Sequence, residues 1–283
     1  MSAEKNMKRD VAEQKVNFES TLDKIQNEPI PDDDEFKGQF PCGLLWEGQV
    51  IRDFEFRDMD GGDEEALSAL AKKGAKGMAK IGNKLLERCI TRIGHLTPEG
   101  CGADTWRKVI QELTVPDQDT ALVLIRKVSE DAEIETKHVC PACEENIVYV
   151  FNMDELEMRP YTGNDEHKEI ITLPRGFKDD KGTVHREVEI RLPNGLDREI
   201  TLPIAQQNAA KGSTLMLARL CKFTDGYPLS EYTLRQMKMK DRGALEKKNR
   251  EMMDFGYKSV VEVECPECGT KFESNLSALG RSF

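Results

Sequence analysis

The stretch FPCGLLWEGQVIRDFEFRDMDGGDEE, residues 40–65, sets the architecture because the chain contains a second version of it. That version is LPRGFKDDKGTVHREVEIRLPNGLDRE, residues 173–199. Each stretch starts with a Pro-x-Gly turn and continues with alternating apolar and polar residues, which is typical of a half-buried strand. Each strand then ends in turn residues, DGG in the first stretch and PNG in the second. The pattern predicts one structural unit present twice, since self-similarity at a fixed offset indicates repeated architecture.

The similarity continues downstream in the same order. A Leu-rich helical segment follows each strand, ending LLERCITRI from Leu85 and LMLARLCKF from Leu215. Longer helical stretches come next, at residues 106–128 and 232–253. Pro116 is predicted to divide the first of these into two helices, with Asp117 as the cap of the second. Each unit then closes with a strand, a CPxC motif and another strand.

The predicted fold class is therefore α+β, with two tandem homologous units related by a pseudo-twofold axis. Each unit holds a small β element, helices and a zinc-knuckle hairpin. Residues 1–37 are predicted to form a charged N-terminal arm, partly helical or flexible. The units are assigned to residues 38–158 and 170–283, and residues 159–169 are the predicted linker.

Cysteine spacing provides the strongest functional signal. Of eight cysteines, four stand alone and four form two CPxC pairs, Cys140 with Cys143 and Cys265 with Cys268. A CPxC motif on a hairpin turn directs both sulfurs to one point, and structural zinc requires four such ligands. Because each unit supplies only two cysteines, we expect one four-thiolate zinc site shared between the units.

Other interpretations of the pairs remain open at the level of sequence. A disulfide or redox pair and unliganded thiols are the alternatives to zinc, and His138 is close enough in sequence to be an alternative ligand. Four thiolates also suit iron. The isolated cysteines are interpreted as small buried apolar residues or free thiols.

Composition excludes several classes of function. The formal charge of −11 disfavours non-specific nucleic-acid binding, which depends on positive surfaces. No stretch approaches the roughly 20 apolar residues of a membrane span, and no apolar leader marks the chain for export. GxSxG, HExxH and Walker-type GxxxxGK[ST] motifs are absent, so we expect no enzyme activity.

A run of basic residues at intervals of four predicts a basic stripe on one helix: Lys72, Lys76, Lys80, Lys84, Arg88 and Arg92. The stripe is interpreted as a solvated face, with docking of an acidic partner as the alternative. Gly74, Gly77 and Gly82 weaken this helix, at about 1 kcal/mol each relative to Ala. A closely packed backbone, or ordering on assembly, would account for them.

The succession of these motifs resembles a phage protein family. The resemblance rests on Leu173, Pro174, Gly176 and Glu189–Arg191, on the helix that ends near Arg126, and on the closing segment VCPACEENIVYVFNMDEL. The family comprises the baseplate proteins of T-even-type contractile-tailed phages, including baseplate hub assembly proteins and related tail assembly chaperones. The resemblance covers about 240 residues, and family members usually hold one such unit.

The resemblance implies a structural or assembly role in a contractile tail baseplate. The implied partners are other baseplate or tail proteins, including tape-measure or hub subunits, with neither nucleic acid nor membrane among them. The implied location is the virion tail, or the host cytoplasm during assembly. Zinc would then tie the two units into one body.

A zinc-ribbon module that binds nucleic acid or acts in transcription is the alternative function. Acidic residues flank both CPxC motifs and would repel phosphate: Glu144, Glu145, Glu262, Glu264 and Glu267.

Overall fold

A computed structural model describes residues 35–130, 133–257 and 260–275 of the chain. The predicted N-terminal arm lies outside the described residues up to position 34. Its bound at residue 37 was wrong, because Phe36 and Lys37 already belong to the first strand and pair with Phe56 and Glu55. The described chain combines helices and antiparallel strands, which confirms the α+β fold class.

The first part of the described chain builds a three-stranded antiparallel sheet, a set of helices and a hairpin. The sheet holds β1 (Phe36–Trp46), β2 (Gln49–Phe56) and β3 (Ile90–Ile93) in that order. The helices are α1 (Gly61–Ala71), α2 (Ala75–Cys89), α3 (Pro98–Cys101), α4 (Ala103–Glu112) and α5 (Val115–Ser129). The hairpin pairs β4 (Glu133–Val139) with β5 (Asn146–Asn152).

The second part has the same succession of sheet, helices and hairpin. A 3-10 turn (Met153–Glu155) and the short β6 (Met158–Arg159) lead into it. The sheet holds β7 (Lys168–Lys178), β8 (Val184–Arg191) and β9 (Cys221–Phe223), and the helices are α6 (Gly195–Gln207), α7 (Ala209–Leu220), α8 (Glu231–Gln236) and α9 (Met239–Met252). The short β10 (Gly256–Tyr257) pairs with β6, and the last hairpin joins β11 (Val260–Glu264) to β12 (Lys271–Asn275).

Each Pro-x-Gly turn is an irregularity in the first strand of its sheet, held by an aspartate from a distant helix. Asp117 of α5 accepts hydrogen bonds from the backbone N–H groups of Cys42 and Gly43, at 2.9 and 3.0 Å. The glycine takes a φ of 96°, a conformation that residues with a Cβ rarely adopt.

The second sheet repeats this arrangement with different residues. Asp241 of α9 accepts from the N–H groups of Arg175 and Gly176, at 2.7 and 3.3 Å, and Gly176 has a φ of 78°.

The helix that follows each second strand starts in a capping box. Asp60 and Asp63 form the box of α1, while Asn194 and Asp197 form that of α6. These helix starts confirm that the DGG cluster is a turn into a helix N-terminus, where acids complement the dipole.

The inner aspartate of each box is fully buried and binds two arginines. Arg57 and Arg88 donate to Asp63. Arg191 and Arg219 donate to Asp197 in the same way.

Apolar side chains form one cluster for each three-stranded sheet with its helices, and a small third cluster between the two hairpins. Trp106 and Phe54 lie at the centre of the first cluster, where they are 2% and 1% exposed. Cys42 of β1 packs into the second cluster, so one strand takes part in both cores.

Two local predictions were wrong. Pro116 does lie at the break between two helices, but Thr114 caps α5, because its hydroxyl accepts the Asp117 N–H. Asp117 instead holds the distant turn in β1. The residues after Cys89 and Leu220 leave the helix and become β3 and β9, since pairing with β2 and β8 overrides their local helical pattern.

The glycines around α2 have separate roles. A Cβ at Gly77 would overlap the carbonyl oxygen of Leu70, which confirms close backbone packing at that position. Gly74 starts the helix with a φ of 69°. Gly82 has only ordinary van der Waals contact at its Cβ position.

Candidate metal centre

The two CPxC motifs form equivalent turns at the tips of the two hairpins. In the first hairpin, the Cys140 N–H donates to the Glu145 carbonyl at 2.9 Å, and the Glu144 N–H donates back to the Cys140 carbonyl at 3.0 Å. In the second, the Cys265 N–H donates to the Thr270 carbonyl and the Gly269 N–H to the Cys265 carbonyl, both at 2.9 Å. Each turn therefore holds its cysteines by the same backbone pattern.

The residue after the second cysteine of each motif has a left-handed backbone. Gly269 takes a φ of 69°, as expected for a residue without a Cβ. Glu144 takes a φ of 60° at the corresponding position, where a side chain costs about 1–2 kcal/mol. The first turn thus reaches the same geometry as the second without glycine.

The four sulfurs converge across the two hairpins. Cys140 Sγ lies 3.6 Å from Cys268 Sγ, and Cys143 Sγ lies 3.6 Å from Cys265 Sγ. All four sulfurs lie within 4.8 Å of one another. The shortest separations are far longer than a disulfide bond of about 2.05 Å, and all eight cysteines are free.

These separations fit a tetrahedral metal site. Zinc–sulfur bonds of about 2.3 Å in a tetrahedron place neighbouring sulfurs about 3.8 Å apart. The observed cross-hairpin distances of 3.6 Å are close to that edge. Cys140, Cys143, Cys265 and Cys268 therefore lie together and could bind one metal ion.

The first cysteine of each motif is buried and the second is exposed. Cys140 and Cys265 are 0% and 1% exposed and belong to the third apolar cluster. Ile147 of β5 and Val263 of β11 pack in the same cluster, with half-buried Tyr149 and Phe272 beside them. The two hairpins thus pack against each other through apolar side chains next to the sulfurs.

Polar groups beside two of the sulfurs, Cys140 Sγ and Cys268 Sγ, favour the thiolate form that a metal ligand requires. The Ala142 N–H donates to Cys140 Sγ at 3.4 Å. The Thr270 hydroxyl, 3.2 Å from Cys268 Sγ, and the Thr270 N–H lower the pKa of the Cys268 thiol to about 6.

The neighbouring sulfurs oppose a second negative charge. A hydrogen bond from the Glu145 N–H lowers the pKa of the Cys143 thiol, but the adjacent cysteines and desolvation outweigh it and raise that pKa to about 12. Four thiolates at this spacing therefore require a cation between them. Thiolate ligands suit soft metals, zinc and iron among them.

Other residues considered from sequence lie outside the group of sulfurs. In the described part of the chain, the group of ligand atoms contains the four CPxC cysteines and not His138. Cys42, Cys89 and Cys221 are buried in the two main cores, where burial raises the pKa of each thiol.

The predicted basic stripe is divided among several elements and binds acids of the same chain. Lys80 pairs with Glu199 at 3.2 Å and Lys84 with Glu87 at 3.3 Å. Arg88 binds Asp63, as described above. Arg92 lies on β3 and pairs with Glu55 of the neighbouring β2, and Lys72 precedes α2.

Sequence reasoning missed the polar network that joins the two parts of the molecule. Asn83 of α2 donates to the carbonyl of Gly195 at 3.1 Å and to the Glu199 carboxylate at 3.0 Å. Burial would raise the pKa of Glu199, but hydrogen bonds from Asn83, Gln111 and Lys80 lower it overall. A lone asparagine on an apolar helix face carried no signal that would identify its partner.

A protein-family model described as T4 bacteriophage base plate protein matches residues 43–279, which is most of the chain. No curated protein and no solved structure matches. Within the described residues, no helix combines the length and the apolar character needed to cross a membrane.

Proposed function

The chain belongs to the T4 bacteriophage base plate protein family, and we propose that it is a non-catalytic component of a contractile tail baseplate whose two halves are tied by one structural zinc ion. The observation that carries the metal proposal is the convergence of four sulfurs from two CPxC motifs that lie more than 120 residues apart in sequence.

The proposed zinc is structural because the ligand set is complete. Four thiolates fill a tetrahedral site and leave no position for water or substrate. When bound, zinc supplies the positive charge that allows all four sulfurs to be thiolates. The protein positions them through the backbone turns and the packing of Ile147 and Val263 in one apolar cluster. Binding energy would add to the folding free energy of both hairpins together.

We further propose that residues 38–158 and 170–283 are two copies of one unit, joined by residues 159–169. The support is the recurrence of strand order, Pro-x-Gly irregularity, capping box and doubly bound aspartate in the two parts. In the two CPxC motifs, Cys140 is equivalent to Cys265 and Cys143 to Cys268. Exchanging the two copies therefore converts the Cys140–Cys268 contact into the Cys143–Cys265 contact. This exchange supports a local pseudo-twofold axis at the metal site.

Baseplate and tail proteins, including hub or tape-measure subunits, are the proposed partners, in the virion or in the host cytoplasm during assembly. Carboxylates surround the knuckles and oppose a nucleic-acid partner; the exposed ones are Glu144, Glu145, Glu262, Glu264 and Glu267.

Metal analysis of the purified full chain tests the metal proposal. We expect one zinc per chain, and a Cys140→Ser variant that loses the metal and loosens both hairpins in hydrogen exchange. The matched control is Cys101→Ser, because Cys101 is half-buried on α3 outside the sulfur group. No metal, two metals per chain, or loosening confined to the β4–β5 hairpin would contradict a shared site.

The assignment to the baseplate has a separate test. Mass spectrometry of purified virions should detect this chain if it is a built-in subunit. Detection only in infected-cell lysate, bound to baseplate proteins, would instead assign it an assembly role. Absence from both baseplates and their assembly intermediates would contradict the proposal.

A further inference from the structure

The helical contact between the two parts of the molecule is asymmetric: the start of α6 packs on helices of the first part, and the start of α1 makes no matching contact with the described residues of the second. The N-terminal end of α6, which we call the plug (residues 194–199), sits against a socket formed by α2, α4 and α5. The Val115 N–H at the start of α5 donates to the Pro193 carbonyl at 2.8 Å, and the Gly195 N–H donates to the Leu113 carbonyl at 3.0 Å. A Cβ at Gly195 would overlap the Gln118 side chain, so the plug fits only with glycine there.

The first unit carries a second plug at the start of α1, residues 60–65. Asp63 and Asp197 are equivalent because each is the buried, doubly bound member of a capping box. Two residues earlier the plugs have Gly61 and Gly195, and two residues later they have Glu65 and Glu199. The α1 plug therefore keeps the glycine and the glutamate that the α6 plug uses for contact.

The second unit carries the matching socket on α7, α8 and α9. Arg88 and Arg219 bind the equivalent buried aspartates, and counting back from them makes Asn83 equivalent to Thr214 and Lys80 equivalent to Lys211.

The two sockets also share an internal hydrogen bond. Gln118 and Arg242 each follow the aspartate that holds a Pro-x-Gly turn. Gln118 donates to Asn83, and Arg242 donates to Thr214, both at 2.7 Å.

The α1 plug and the rim of the α7–α9 socket each lack a partner within the described part of the chain, whereas Thr214 at the floor of the socket is buried and bonded to Arg242. Gly61 and Glu65 are exposed, and a Cβ at Gly61 would meet nothing within 4 Å. On the socket, α9 starts without a side-chain cap and its first residue, Met239, is 75% exposed. The equivalent start of α5 is capped and also bonded to the α6 plug.

The charges of the free plug and the free socket are complementary. The exposed acids of the plug are Asp60, Glu64 and Glu65. The basic residues of the socket and its rim are Lys211, Lys238 and Lys240, together with Arg235 and Arg242, which already pair with Glu231 and Glu246. The filled interface, between the α6 plug and its socket, contains two ion pairs, Lys80 with Glu199 at 3.2 Å and Arg198 with Asp119 at 2.7 Å. The second pair has no equivalent in the proposed contact, where Glu64 and Gly243 take these positions. By equivalence, Glu65 would meet Lys211.

We propose that the α1 plug of one chain docks into the α7–α9 socket of a second copy, and that copies associate head to tail in this way. The inference rests on the proposed repeat and is independent of the metal. A head-to-tail contact uses two different surfaces, so repeating it yields a closed ring or an open filament.

Sedimentation velocity of the full chain at low and high salt tests this. We expect a mass above that of the monomer that rises with concentration and falls with salt. Gly61→Leu should abolish association without unfolding the chain, because the position is open in the monomer and closed in the filled interface. Glu65→Lys or Lys211→Glu should each weaken association about tenfold, and the double variant should restore it.

Glu99→Lys is the control, since it makes the same charge change at an exposed position outside the plug. A wild-type chain that stays monomeric at about 200 µM in low salt would overturn the proposal. Association that Gly61→Leu leaves intact would overturn it as well, because the contact would then use another surface. A purified chain that holds no zinc but still associates would count against the metal proposal alone.

Discussion

Replacing Asp63 with asparagine should destabilise the first unit strongly. Asp63 is fully buried and accepts hydrogen bonds from two arginines and from the Asp60 N–H. Asparagine keeps the shape but removes the charge and turns one acceptor into a donor. Arg57 and Arg88 would then remain partly buried without a compensating carboxylate.

Two estimates give the size of the effect. Burial would raise the pKa of Asp63, but Arg57, the Asp60 backbone and Arg88 lower it from 3.8 to about 2. That difference corresponds to about 2–3 kcal/mol of stability at neutral pH. Removing one member of a buried charge pair costs roughly 3–5 kcal/mol, because the remaining charge loses its partner. We therefore expect a loss of about 3 kcal/mol.

Urea denaturation followed by tryptophan fluorescence measures this loss selectively. Both tryptophans of the chain, Trp46 and Trp106, lie in the first unit, and Trp106 is 2% exposed in its core. The control is Asp154→Asn, which removes an acid that is 67% exposed and paired with Lys127. The control should change stability by less than about 0.5 kcal/mol.

The same pair of proteins gives a pH test. Because the folded pKa of Asp63 lies below the unfolded value, its stabilisation is present above about pH 4 and is lost as pH falls toward 2. The stability difference between wild type and Asp63→Asn should therefore narrow between pH 5 and pH 2. A variant no less stable than Asp154→Asn at pH 7, or a difference independent of pH, would refute this account.

Two further comparisons concern backbone positions. Gly77→Ala should cost at least about 1–3 kcal/mol, since the new Cβ would overlap the Leu70 carbonyl, whereas Gly82→Ala should stabilise α2 by up to about 1 kcal/mol in the same thermal unfolding assay. Equal effects of the two variants would contradict the close approach at Gly77. Glu144→Gly should relieve a left-handed φ and stabilise the first CPxC turn by about 0.5–1 kcal/mol, while Gly269→Ala should destabilise the second turn by a similar amount. Competition with a metal chelator measures the metal affinity of both variants, and a lower affinity in Glu144→Gly would contradict the strain.

The knuckles could be predicted from sequence because their chemistry is local. Two cysteines separated by two residues on a hairpin turn point to one place whatever surrounds them. The meeting of Cys140 and Cys268 is predicted by the proposed repeat, because spacing along the chain does not by itself bring the two pairs together. The proposed repeat could be inferred from sequence because turn glycines and strand alternation leave short-range patterns.

The errors came from residues whose role is fixed at long range. Asp117 has the position and chemistry of a helix cap, but Thr114 takes that role, and the carboxylate binds a turn about 75 residues earlier. The helical pattern of LLERCITRI continues past Cys89, yet Ile90–Ile93 pairs with β2. In both cases a contact between distant segments outweighed the local preference.

The sequence alone determined the α+β class, the family resemblance and the four cysteines, since these depend on residue type, short spacing and order along the chain. Only the tertiary structure decided how the two parts fit together. It brought the sulfurs within 4.8 Å, buried Asp63 between two arginines, and set the start of α6 against α2, α4 and α5 while leaving the start of α1 exposed. Such choices depend on which surfaces meet in space, and no local pattern of residues encodes that.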